Sequence, residues 1–110
     1  MIFAMPTIDG KLAAHFGHAR DFEFIKVEDG KITSKEIAIP PGYEPGVLPT
    51  WLNSKKVDKV IVGGMGTRAV GYFNKFGIDI IYGKSSETPE KVVNDYLKGD
   101  LEARENFCDH

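Results

Sequence analysis

The chain has 110 residues, 42% hydrophobic and 27% charged, and a chain of this length buries roughly two thirds of its unfolded surface, enough for one domain without disulfide or structural metal. Fourteen lysines and arginines against sixteen aspartates and glutamates leave a formal charge of −2, and no basic block is present to neutralise a run of phosphates, which argues against nucleic acid as a partner. No apolar run approaches the ~20 residues of a membrane span, the start Met1-Ile2-Phe3-Ala4-Met5-Pro6 lacks the features of a signal peptide, and the lone Cys108 suits a reducing compartment, so a cytoplasmic protein with no membrane partner is expected.

In chain order, the apolar run from Ile2 to Pro6 is too short for a helix and reads as a buried strand closed by its proline. Asp9-Gly10 turns the chain into Lys11 to Arg20, whose ambiguous period reads as a loop with room for one helical turn. From Asp21, Phe22 and Phe24 alternate with Glu23, Ile25 and Val27 follow, and Asp29-Gly30 supplies a hairpin turn before Ile32 to Ile39. Between Pro40 and Pro49, four prolines and two glycines fall in ten residues, a loop long enough to carry a task. Pro49 then enters the first turn of a short helix that packs Trp51 and Leu52 and ends near Lys55-Lys56. Val60-Ile61-Val62 has the β-branched continuity of a strand covered on both faces. The glycine-rich turn Gly63 to Arg68 leads into Ala69, Val70, Tyr72, Phe73 and Phe76 at helical spacing, stopped by Gly77. Ile78 to Tyr82 is a further buried strand, and Thr88-Pro89 opens a last helix that turns Val92, Val93, Tyr96 and Leu97 inward until Gly99. The predicted order is β, a ββ hairpin, α, β, α, β, α, an α/β fold with a mixed sheet and flanking helices.

Two groups of residues can carry chemistry. Glycines after Val62 let the backbone approach a ligand, the amides from Met65 to Arg68 open at a helix start where an anion is favoured, and Arg68 adds a cation. The spacing is neither a dinucleotide fingerprint nor a P-loop, and a tight turn made only for packing accounts for it equally well. All three histidines and the cysteine fall in two windows, His15-Phe16-Gly17-His18 and Cys108-Asp109-His110. Imidazole and thiolate suit iron, zinc or an iron–sulfur cluster, yet the spacing matches no zinc finger, and a surface His-x-x-His pair with an idle thiol explains it too. A hydrolase lacks its Gly-x-Ser-x-Gly nucleophile turn, and Asp9, Asp21 and Glu23 are too loosely placed for a two-metal nuclease.

With His15-Phe16-Gly17-His18-Ala19, Glu44-Pro45-Gly46, Gly63-Gly64-Met65-Gly66-Thr67-Arg68-Ala69 and Cys108-Asp109-His110 in this order, the chain resembles the dinitrogenase iron–molybdenum cofactor biosynthesis family, small NifX-like relatives of nitrogenase accessory proteins. The resemblance covers residues 1–110 as a single domain, with residues 100–110 expected as a mobile C-terminal tail. It implies a ribonuclease H-like sheet without the nuclease carboxylates. It also implies a non-catalytic carrier for an iron–sulfur or iron–molybdenum cluster or its precursor, with metallocofactor assembly proteins as partners. The implied cofactor-binding residues are His15, Phe16, Gly17, His18, Tyr43, Glu44, Gly63, Gly64, Met65, Gly66, Thr67 and Arg68, and the implied metal ligands are His15, His18, Cys108 and His110. Tyr43 stands where relatives often carry a histidine, which removes one potential imidazole ligand. The alternative is a regulatory or interaction domain that binds a small anion or a partner protein without metal.

Overall fold

Side chains along a strand point alternately to opposite faces, so an unbroken apolar run must be covered twice. The computed structural model describes residues 1–44 and 46–99, with the backbone alone at His18. Strands β1 (Ile2–Ile8) and β2 (Lys11–Leu12) are followed by a 3-10 turn (Phe16–His18) and the hairpin of β3 (Asp21–Glu28) and β4 (Lys31–Ala38). Then come α1 (Val47–Ser54), β5 (Lys59–Val62), α2 (Thr67–Phe76), β6 (Asp79–Tyr82) and α3 (Pro89–Leu97). The sheet runs β4-β3-β1-β5-β6, with β2 folded back onto β1. It is mixed: β3 is antiparallel to β1 and β4, whereas β5 is parallel to β1 and β6.

Each face has its own core. Ala4, Phe22, Phe24, Val60, Val62 and Ile80 pack with Leu48 and Leu52 of α1 and Phe73 of α2. Phe3, Met5, Ile25, Val27, Ile61 and Ile81 pack with Val92 and Val93 of α3. Neighbours such as Phe3 and Ala4 thus serve opposite cores, and a one-residue slip of β1 would exchange them, which pins the register.

Several sequence expectations change in detail. Strand β1 continues through Pro6 to Ile8 instead of stopping at the proline. The Pro6 carbonyl accepts from the Ala13 amide, on the edge where β5, paired only at Phe3 and Ala4, has already ended. The missing proline N–H therefore costs no ladder bond. The predicted order omits β2, which two residues could not announce, and Lys11 and Leu12 pair with Ile8 and Thr7. Helix α1 begins at Val47, inside the stretch read as loop, and Pro49 sits in its first turn where its missing donor is harmless. Leu97 ends α3 at the surface, 37% exposed, and does not turn inward. The expectation of a mobile tail over 100–110 lies outside the described residues. No helix among the described residues is long and apolar enough to cross a membrane.

Candidate functional site

Strand β5 delivers the chain to Gly63 at its carboxyl end, where open sheets commonly place ligands. A Cβ on Gly63 would lie 2.7 Å from the Ala13 carbonyl oxygen and 3.0 Å from Ala14 Cα, so only glycine lets the two backbones touch. One residue later, the Gly64 carbonyl accepts from the Phe16 amide at 2.9 Å. Phe16 itself is buried edge-to-face against Phe22 and Phe73, with ring centroids 5.6 and 5.4 Å away. The 3-10 turn that follows β2 is thereby nailed to the glycine turn after β5, although about fifty residues of chain separate them.

The proline-rich segment closes the third side. Pro40, two residues beyond β4, is buried, and the Tyr43 hydroxyl donates to the Ala19 carbonyl at 2.6 Å. Gly46 holds a φ of +85°, and a Cβ there would meet the Tyr72 hydroxyl at 3.0 Å. These constraints leave a cleft of about 270 Å³ lined by Phe16, Gly17, Tyr43, Glu44, Gly66 and Arg68, with Gly46, Leu48, Pro49, Ala69 and Tyr72 completing the wall. Helix α2 starts at the cleft with Gly66 as its cap residue, no side chain caps it, and no acidic residue stands in its first turn. The open amides and the exposed Arg68 make this wall electropositive, with Glu44 also among the residues lining the cleft.

Of the residues singled out by sequence, Phe16, Gly17, Tyr43, Glu44, Gly66 and Arg68 line one cleft. Gly63 and Gly64 serve the backbone contacts just described, and Met65 is buried in the core with 2% exposure. Thr67 is the first residue of α2 and exposed. His15 is exposed next to the 3-10 turn but is not among the residues lining the cleft. His18 closes that turn. Cys108 and His110 lie outside the described residues. Among the described residues no three His, Cys, Asp or Glu side chains converge as a metal-holding group. Tyr72 and Leu48 were missed by the motifs, although Tyr72, four residues after Arg68 on α2, shares its helix face and could have been found by that spacing.

Residues 1–99 match the family model described as dinitrogenase iron-molybdenum cofactor. The chain belongs to that family. An uncharacterised protein of Methanocaldococcus jannaschii, MJ0580, is 29% identical over 108 residues, covering 93% of this chain and 90% of its own. The crystal structure of PH0822 superposes with a TM-score of 0.84 at 28% identity, covering 96% of this chain and 97% of that one. The apo form of the orange protein from Desulfovibrio gigas shares the fold, with a TM-score of 0.81 at 16% identity over 96% of this chain and 93% of its own.

Proposed function

We propose that this member of the dinitrogenase iron–molybdenum cofactor family is a non-catalytic carrier, whose cargo is an iron–sulfur or iron–molybdenum cluster or its precursor, passed between metallocofactor assembly proteins. The observation that carries this reading is the single cleft into which three separate motifs deliver Gly17, Tyr43, Glu44 and Arg68. A metal–sulfur cluster is large and often anionic. The first-turn amides of α2 and Arg68 suit its charged periphery, while Phe16, Leu48 and Tyr72 supply a partly apolar wall that limits water. On this reading His15, the chain neighbour of cleft-lining Phe16, supplies an imidazole that cargo could gain and lose. A site with one or two replaceable ligands suits handover, whereas four rigid thiolates would retain a cluster.

The test is anaerobic addition of an isolated cluster to the purified protein, followed by visible absorption and co-elution. Retention is expected, with Arg68→Ala weakening it about tenfold and the combined change of His15, His18 and Cys108 abolishing it. No retention by the parent chain, or retention indifferent to all four residues, would sink the carrier reading.

A second reading is favoured by one observation, namely that Arg68 lines the cleft and His15 does not. On it the cleft takes a small anion or an acidic segment of a partner without metal. Weakened binding in Arg68→Ala with no effect of the histidine and cysteine changes would select this second reading.

A further inference from the structure

We propose that Tyr43 is a positioning residue whose hydroxyl, bonded to the Ala19 carbonyl, sets how readily the cleft releases its cargo; this rests on the carrier reading above. The sequence alone presents Tyr43 as the absence of an imidazole. In the fold it is a donor, and its hydrogen bond of 2.6 Å joins the segment after β4 to the segment before β3, 24 residues away in the chain.

The two ends of that bond differ in rigidity. Ala19 is 3% exposed, and the next residue is fixed to the sheet, because the Arg20 amide donates to the Thr7 carbonyl at 3.0 Å. The acceptor is therefore part of a fixed wall. Tyr43 is 51% exposed, and residues 39–44 around it belong to neither helix nor strand. When the bond breaks, Tyr43 moves and Ala19 stays.

Position makes this bond consequential. Tyr43 and Glu44 line the same cleft as Phe16, Gly17 and the α2 start with Gly66, Arg68 and Ala69. A ligand seated on Arg68 thus shares the cleft with Tyr43 and Glu44, and the position of Tyr43 in that lining is fixed where its hydroxyl meets Ala19. A neutral hydrogen bond of this kind shifts an equilibrium by a net factor of about 2 to 12. That is strong enough to hold the wall in place and weak enough to give way when an acceptor protein competes.

The experiment compares the parent chain with Tyr43→Phe, which keeps the ring and removes the donor. In the cluster-free protein, amide hydrogen exchange at Tyr43, Glu44 and Ala19 is followed by NMR. In the loaded protein, a [4Fe–4S] cluster reconstituted from iron and sulfide is challenged with an excess iron chelator, and its loss is timed by visible absorption. Tyr43→Phe is expected to exchange faster at Tyr43 and Glu44 than at Ala19, and to lose the cluster about 2 to 12 times faster. A general loosening of structure would instead raise exchange across β1 and β5 and slow uptake, and would overturn the proposal. So would unchanged release together with faster local exchange, which leaves the carrier reading intact. A parent chain that takes up no cluster overturns the carrier reading and this role with it.

Discussion

Gly63 and Gly71 show how the same residue type answers to different physics within nine positions. At Gly63 the atoms in the way are backbone, Ala13 O and Ala14 Cα, and neither can swing aside. Gly63→Ala should force the two segments apart and cost about 1–3 kcal/mol, read as a lower urea midpoint at unchanged slope. Gly71 lies inside α2, and a Cβ there would meet nothing within 4 Å. There glycine brings only entropy, so Gly71→Ala should stabilise by about 0.5–1 kcal/mol in the same assay. An unchanged or raised midpoint in Gly63→Ala would mean that the close approach at Gly63 is not what holds the site together, and a lowered one in Gly71→Ala would contradict the entropic reading of that glycine. The glycines were legible in the sequence as a turn. Which of them bears a contact was not, because Ala13 and Ala14 lie some fifty residues upstream and enter only through the tertiary fold.

At the scale of elements, α3 depends on its start and on its charges. Thr88 caps it, accepting the Lys91 amide at 3.4 Å, and Pro89 occupies the first turn as the sequence predicts. Glu90 receives the Lys35 ammonium of β4 at 2.5 Å, tying helix to edge strand, although half-exposed pairs of this kind contribute little. Glu23 shares that neighbourhood, on the same face of β3 as Ile25. Burial holds its carboxyl above the ordinary value of 4.5, with Lys35 pulling it back and Glu90 pushing it up. A folded pKa above the unfolded one means that the folded chain binds the proton more tightly, so ionisation of Glu23 removes stability as pH rises through that range. Glu23→Gln should therefore be more stable than the parent at about pH 7, by a margin that shrinks toward about pH 4. Equal margins at both values, in thermal melts, would contradict this. The strand and its alternation were readable from Phe22, Phe24 and Ile25. The half-burial of Glu23 was not, since it depends on α3 and β4 arriving from later in the chain.

For the whole molecule, a ligand that binds only the folded state stabilises it by mass action, and a cluster present at about 100 times its dissociation constant should add about 2.7 kcal/mol. Thermal unfolding under anaerobic conditions should move upward with cluster concentration, and a midpoint independent of it would count against binding to the native fold. Local pattern by itself determined most of the elements: the apolar runs at Phe3 and Val60, the hairpin at Asp29-Gly30, the glycine stop at Gly77 and the Thr88-Pro89 start are each decided within a few residues. It also marked the three motif loops. Their meeting was decided only by the tertiary structure, through the Phe16–Gly64 and Tyr43–Ala19 hydrogen bonds and the contact of Gly63 with Ala13. The physical reason is one of range. Propensity, periodicity and capping act over a turn or two of chain, whereas a cleft is a relation between segments that the sheet order alone brings together, and β1 must pair with β5 before the His15 loop can reach the turn that β5 carries.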